Sequence, residues 1–86
     1  MKRFLRVLDI PKDYTGTAFA CDARQTRILV NGKLHNLTGP ASIWYNSDMT
    51  INSQTYYIEG TRILYKEDFW NHPMVLLNKL EGILCL

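Results

Sequence analysis

The chain has few cysteines, few prolines and few histidines. The shortage of cysteines and histidines limits the metal sites and the catalytic sites that the chain can hold. Its only cysteines, Cys21 and Cys85, stand far apart in apolar sequence, and neither has a second residue at zinc-ligand spacing. We expect two buried, reduced thiols, with a disulfide as the less favoured alternative. The sequence therefore predicts no metal site and no disulfide framework.

Long hydrophobic runs are also missing. No apolar stretch approaches the roughly 20 residues that a transmembrane helix requires. The N-terminus begins with basic residues, but Arg6 and Asp9 interrupt the apolar stretch that follows, and no small-residue cleavage site comes after it. We expect an intracellular protein with no signal peptide and no membrane contact.

The length and the charge limit the partners. With 86 residues the chain is predicted to form a single domain over 1–86. A core this small is marginal, and oligomerisation would supply the missing burial, so we expect a homo-oligomer. The formal net charge of +2 is too small for a protein that coats DNA, but basic residues are concentrated in the first 33 positions. This distribution favours a local anion site over a track for long nucleic acid.

Short alternating segments and tight-turn signals follow one another along most of the chain. Asn31-Gly32 is the strongest hairpin signal, because both central residues of a type I′ turn need positive φ, and Glu59-Gly60 is a second tight turn. In ASIWYN, Ile43 and Tyr45 are predicted on one face and Trp44 on the other. Strands are predicted at 4–9, 17–21, 27–30, 33–35, 41–46, 49–51, 54–58 and 61–64.

The pattern changes to a helical period after residue 64. Residues 65–72 predict a short helix with an acidic first turn, and Pro73 suits the first turn of a second helix. Gly82 suits its end. The fold class is therefore predicted to be α+β, with antiparallel β-hairpins in a meander followed by a short C-terminal helical segment. The apolar residues 83–86 are expected to dock on the sheet or on a second subunit.

Catalytic chemistry has little support in the sequence. The two histidines, His35 and His72, have no evident polar partner for general base work, and structural or surface roles are favoured for both. There is no nucleophile elbow or phosphate-binding loop. We expect neither an enzyme nor a cofactor.

Nucleotide binding requires aromatic faces for the bases and cationic donors for the phosphates, and the chain offers both. Core packing is the commoner role of any single aromatic residue, and a solvated surface the commoner role of any single arginine. If the two hairpins are neighbours, the basic returns Lys33 and Arg62 would flank one groove with Trp44 as its floor. The predicted ligand-binding residues are Arg27, Lys33, Trp44, Tyr57 and Arg62.

Two blocks of sequence resemble a repeat that is common in small phage proteins. In the first, NGKLH followed by GPA spans residues 31–41; in the second, YY, a glycine turn and EDFWNHP span residues 56–73. Asn36-Leu37-Thr38 replaces the basic-acidic stretch that is usual in this repeat. The resemblance implies a hairpin-and-helix fold unit and carries no settled activity.

The whole chain also resembles short early proteins of T-even-like phages. Several of these counter bacterial immunity, and one group sequesters a cyclic dinucleotide signal. The resemblance implies a phage anti-defence protein in the host cytoplasm that binds a cyclic di- or oligonucleotide without catalysis. The alternative is a small inhibitor that binds a host defence protein directly through its aromatic and basic surface.

Overall fold

Seven short strands, in which successive side chains alternate between two faces, form the sheet of this chain, as the computed structural model shows. The structure describes residues 1–84, with side chains up to Gly82. The strands are β1 Lys2–Phe4, β2 Gly16–Ala20, β3 Gln25–Val30, β4 Lys33–Leu34, β5 Ser42–Tyr45, β6 Ile51–Ile58 and β7 Thr61–Ile63, and the helices are α1 Lys66–Trp70 and α2 Pro73–Leu84.

One seven-stranded sheet has the order β1-β2-β3-β5-β6-β7, with β4 also paired to β3. All pairs are antiparallel except β1 with β2, which is parallel. The two helices follow the last strand. The predicted α+β class, with mostly antiparallel strands and a short C-terminal helical segment, is confirmed. In the described residues no helix is both long enough and apolar enough to cross a membrane.

The predicted strand over residues 4–9 is wrong. β1 ends at Phe4, and Val7–Asp9 forms a 3₁₀ turn. The Arg6 guanidinium bonds Asp9 at 2.8 Å, and the Arg6 amide donates to the same carboxylate at 3.2 Å. This local pairing competes with extended backbone; it also raises the pKa of Arg6 and lowers the pKa of Asp9.

β4 and β5 run one after the other in the space between β3 and β6. The His35 amide donates to the Ile28 carbonyl at 3.0 Å, and the Ile28 amide donates to the Ala41 carbonyl at 2.8 Å. Residues 36–40 therefore leave the sheet and return to it beside one residue of β3.

Asn36 organises the excursion through its side chain. Its Oδ1 accepts from the Thr38 amide at 3.1 Å, and its Nδ2 donates to the Pro40 carbonyl at 3.0 Å. The bonds form an Asx turn, which needs no partner from the sheet. Leu37 at its tip packs against the core under the helices.

The type I′ turn predicted at Asn31-Gly32 and the tight turn predicted at Glu59-Gly60 are confirmed by their backbone angles, and both have the positive φ values of type I′. Asn31 and Gly32 have φ of 50° and 80°, and Glu59 and Gly60 have φ of 51° and 83°. The two turns are neighbours, because the Gly60 amide donates to the Leu34 carbonyl at 2.8 Å. The motif blocks at residues 31–41 and 56–73 thus meet in space.

Phe69 is the centre of the core between the sheet and the helices. Its side chain is fully buried, and its ring lies 4.5 Å from that of Tyr56 and 4.9 Å from that of Trp70. The buried members of this cluster are Ile58, Phe69 and Val75; Leu37, Tyr56, Ile63, Trp70 and Met74 pack around them.

Cys21 is exposed, which contradicts the prediction of a buried thiol. The buried positions of β2 are Ala18 and Ala20, and Cys21 lies one residue beyond the strand, in the turn towards β3. The predictions for Cys85 and for docking of the tail 83–86 fall outside the side chains that the structure describes.

The strands predicted at 49–51 and 54–58 form one continuous strand, β6, and the loop before it is closed by Asp48. The carboxylate accepts from the Thr50 hydroxyl at 2.6 Å and from the Thr50 amide at 3.0 Å. These bonds, the hydroxyl first, lower the pKa of Asp48 below its ordinary 3.8. The stabilisation is therefore present above pH 3.8 and is lost as the pH falls through the lowered pKa.

We expect Thr50→Val to raise the pKa of Asp48 towards its ordinary value, because the substitution removes the hydroxyl donor and keeps the amide donor. Carboxyl carbon shifts followed by NMR during an acid titration measure this change. Asp9, which is paired with Arg6, is the internal control and should titrate as in the parent. An unchanged Asp48 pKa would show that the hydroxyl is not the cause.

Candidate functional site

The strand register divides the sheet into a face covered by the helices and a face without them. Tyr56 pairs with Ile63 and Ile58 lies two residues further along β6, and all three contact the helical core. The residues between them point the opposite way, because successive side chains of a strand alternate. We call this second side the open face; by register it includes Lys2, Phe4, Ala18, Ala20, Gln25, Arg27, Leu29, Ser42, Trp44, Thr55, Tyr57 and Arg62. Ala18, Ala20, Gln25, Leu29 and Ser42 are buried, so the accessible part of this face lies around Trp44, Tyr57 and Arg62.

Four of the five predicted site residues lie on the open face. Arg27 on β3 pairs with Ser42 on β5, and Trp44 lies two residues after Ser42 on β5. Tyr57 on β6 pairs directly with Arg62 on β7. From the spacing of strands and of residues within them, the four side chains surround a patch roughly 15 Å across. Ile43 and Tyr45 lie on the opposite side from Trp44, as the alternation predicts.

Lys33 is the exception, and the predicted groove between Lys33 and Arg62 does not form. Lys33 pairs with Val30, which lies on the helix-covered face. A type I′ hairpin keeps its two flanking residues on one side, so the turn fixes Lys33 away from Arg62. The hairpins are neighbours, but their basic returns are on opposite faces.

Arg27 is the cation that the sheet holds most firmly in position. Its Nε donates to the Gln25 Oε1 at 3.1 Å, and the Gln25 Nε2 donates to the Ser42 Oγ at 2.7 Å. Gln25 is only 1% exposed, so this chain of bonds has a rigid origin. The only ion pair among residues 1–84 joins Arg6 to Asp9, which leaves the Arg27 guanidinium without a carboxylate. The remaining Arg27 donors suit a planar anion such as a phosphate.

The aromatic rings of the open face differ in accessibility. Trp44 is 39% exposed and Tyr57 is half-buried, so both keep surface against which a base can stack. Trp70, in contrast, lies among the helices, where the Lys79 ammonium sits 4.6 Å from its ring. Trp44 and Tyr57 therefore keep ring surface on the open face, whereas Trp70 belongs to the core.

The electrostatic character of the open face is uniformly positive. Within strands β1 to β7, the charged side chains that the register places on this face are Lys2, Arg27 and Arg62, and none is acidic. Such a surface attracts anions and raises their local concentration. Phe4 and Tyr14, whose rings meet edge to face at 5.6 Å, cover the neighbouring part of the sheet.

Sequence reasoning missed Gln25, Ser42 and Lys2. Gln25 and Ser42 matter because they hold Arg27. Ser42 lies in the predicted strand 41–46, on the predicted face of Trp44, but Gln25 lies two residues before the predicted strand 27–30, and the pairing of the two strands was not predicted. Lys2 was missed because β1 pairs in parallel with β2, a long-range contact that no local pattern indicates.

The helix-covered face carries a separate cleft of about 410 Å³. His35 on its wall accepts the Glu59 amide through Nδ1 at 2.9 Å. The second histidine, His72, accepts the Met74 amide through Nδ1 at 3.1 Å and so caps α2. Each histidine thus has a bonding role in the fold. Within the described residues no three His, Cys, Asp or Glu side chains gather as metal ligands would.

Comparison with known proteins gives no match of any of the three kinds. No family model matches the chain, and no curated protein and no solved structure is significantly similar to it. The function has to be argued from the geometry of these two surfaces and from the sequence resemblance.

Proposed function

We propose that this chain is a phage anti-defence protein that binds and sequesters a cyclic di- or oligonucleotide in the host cytoplasm, without catalysis. The open face is the proposed binding surface. Arg27 and Arg62 would bind phosphates, and Trp44 and Tyr57 would stack against bases. Lys33, on the other face, has no part in this site.

The observation that carries the proposal is the state of Arg27. The Arg27 Nε is held by Gln25, the residue as a whole is half-buried, and no carboxylate among the residues described pairs with the guanidinium. A guanidinium that is already held in place, with donors left over, binds a planar anion at a smaller cost in conformational entropy than a freely moving one. The phosphate of a nucleotide supplies that anion, and the adjoining Trp44 supplies the surface for its base.

A cyclic dinucleotide adds a symmetry argument. Such a ligand has two equivalent phosphates and two bases, so two copies of the chain can present the same arginine and the same ring to it. A domain of 86 residues buries only a modest fraction of its surface when it folds, and a homo-oligomer formed around the ligand would bury more of it. The proposal thus links the expected homo-oligomer to the ligand.

We expect Arg27→Ala to weaken the affinity for a cyclic dinucleotide by about 10- to 100-fold, because charged hydrogen bonds contribute about 1.5–3 kcal/mol. Isothermal titration calorimetry with a panel of cyclic di- and trinucleotides measures the effect. The parent should also gain about 2.7 kcal/mol of stability at a hundredfold excess of ligand over Kd.

Arg3→Ala is the matched control for charge. Arg3 pairs with Phe19 and therefore lies on the opposite face of the sheet, so its loss removes the same charge and should change the affinity less than twofold. Equal losses in the two variants would indicate non-specific attraction. Absence of binding across the whole panel would contradict the proposed ligand.

One observation favours the alternative of a direct inhibitor of a host protein. Leu76, Leu77 and Leu80 of α2 are 47%, 54% and 51% exposed, which is a high exposure for three leucines on one helix. Apolar patches of this kind mark protein contacts. A host protein that is pulled down by the parent chain and not by the Leu77→Glu variant, together with the absence of nucleotide binding, would favour this alternative.

A further inference from the structure

The cleft on the helix-covered face has the volume of a small-molecule site and a largely polar lining. Its volume of about 410 Å³ falls within the roughly 300–1,000 Å³ typical of ligand pockets. It lies where the two type I′ turns meet the start of α2. Its walls are formed by Val30, Asn31, Lys33, His35, Glu59 and Met74.

The walls of this cleft carry one basic and one acidic side chain that do not form an ion pair with each other. Lys33 and Glu59 are both exposed, and no ion pair joins them, since the single pair in residues 1–84 is Arg6 with Asp9. The aliphatic stem of Lys33 passes beside Gly60, where an added methyl group would lie 3.7 Å from it. The cleft thus offers one ammonium and one carboxylate at separate places.

His35 adds a neutral donor to the lining. Its Nδ1 accepts the Glu59 amide at 2.9 Å, so the neutral ring carries its proton on Nε2. That N–H is a donor for an acceptor on a ligand, in a cleft that Lys33 also lines. Val30 and Met74 supply apolar surface in the same cleft.

Glu59 is also an unfavourable residue for its own turn. Its φ of 51° lies in the left-handed region, where glycine, asparagine and aspartate are preferred. The equivalent position of the other turn holds Asn31 with a φ of 50°. A glutamate in this conformation is explained if its carboxylate has a role that asparagine lacks.

We propose that this cleft binds a free apolar α-amino acid. The ligand carboxylate would bind Lys33 and the His35 Nε2–H, the ligand ammonium would bind Glu59, and the apolar side chain would contact Val30 and Met74. The inference is independent of the nucleotide site, which lies on the other face. It accounts for Lys33, which the open face does not use.

The experiment compares leucine and methionine with N-acetyl-leucine and leucinamide, in titrations of the intact chain followed by amide NMR. Binding of the free amino acids, with at least tenfold weaker binding of both blocked analogues, supports the proposal. Equal binding of the blocked analogues, or no shifts at the cleft residues up to millimolar ligand, overturns it.

Two variants separate a binding role from a structural one. Glu59→Asn removes the carboxylate and suits the turn, so it should raise the melting temperature and weaken leucine binding at least tenfold. Lys33→Ala should weaken binding by a similar factor. Glu67→Gln, which removes a carboxylate on α1 outside the cleft, should leave binding unchanged. Undiminished leucine binding by Glu59→Asn would overturn the assignment.

Discussion

Gly32→Ala is expected to lower the free energy of unfolding by about 3–4 kcal/mol, which is a large part of the roughly 4–13 kcal/mol available to a domain of this size. A methyl group on Gly32 would overlap the Lys12 carbonyl oxygen and lie 2.8 Å from its carbon. Both are backbone atoms, so the segment before β2 has to move.

That movement removes two bonds that connect the turn to the segment. The Gly32 amide donates to the Tyr14 carbonyl at 2.9 Å, and the Asn31 amide donates to the Thr15 hydroxyl at 2.9 Å. Each is worth about 1 kcal/mol, and the positive φ of Gly32 adds about 1–2 kcal/mol for any residue with a Cβ. Urea unfolding with an unchanged m-value measures the sum.

Gly60→Ala is the matched control, because Gly60 has a φ of 83° against 80° for Gly32. Its added methyl group would meet only the flexible Lys33 side chain at 3.7 Å, an ordinary contact. We expect a loss of about 1–2 kcal/mol, which isolates the conformational cost. Equal losses of unfolding free energy at the two glycines would show that the Lys12 carbonyl does not lie against Gly32.

Phe69→Ala is the second large expected effect, with a loss of about 3–5 kcal/mol. The side chain is fully buried between Tyr56 and Trp70, and the core that it centres has few other fully buried members. Its removal leaves a cavity under both helices that the remaining rings fill only in part. Thermal unfolding and urea unfolding both measure this loss.

Tyr65→Ala is the control for loss of an aromatic side chain. Tyr65 is 65% exposed and lies four residues before Phe69, so we expect a change within about 0.5 kcal/mol. Its carbonyl still accepts the Phe69 amide, because that bond belongs to the backbone. A small effect at Phe69, comparable to that at Tyr65, would contradict the position of the core.

Local chemistry predicted the turns well. Asn31-Gly32 forms the type I′ turn that its residues favour, Gly60 supplies the positive φ of the second turn, and Pro73 begins α2. The face alternation around Trp44 is also confirmed. These features depend on a few consecutive residues, so the sequence alone is enough to predict them.

Long-range pairing limited the remaining predictions. The parallel contact of β1 with β2 and the insertion of residues 36–40 between two contacts to Ile28 join segments that no local pattern connects. For the same reason the side of the sheet on which Lys33 lies was not predictable until the register was known. The orientation of Arg27 by Gln25 depends on Ser42 of another strand, which the sequence placed only approximately.

Amide NMR of the labelled chain during titration with a cyclic dinucleotide tests the central claim most directly. The proposal predicts saturable shifts concentrated at Arg27, the Trp44 indole, Tyr57 and Arg62, with the cleft around Glu59 undisturbed. Shifts confined to the helix-covered face, or none at any ligand concentration, would contradict the claim that the open face is a nucleotide site.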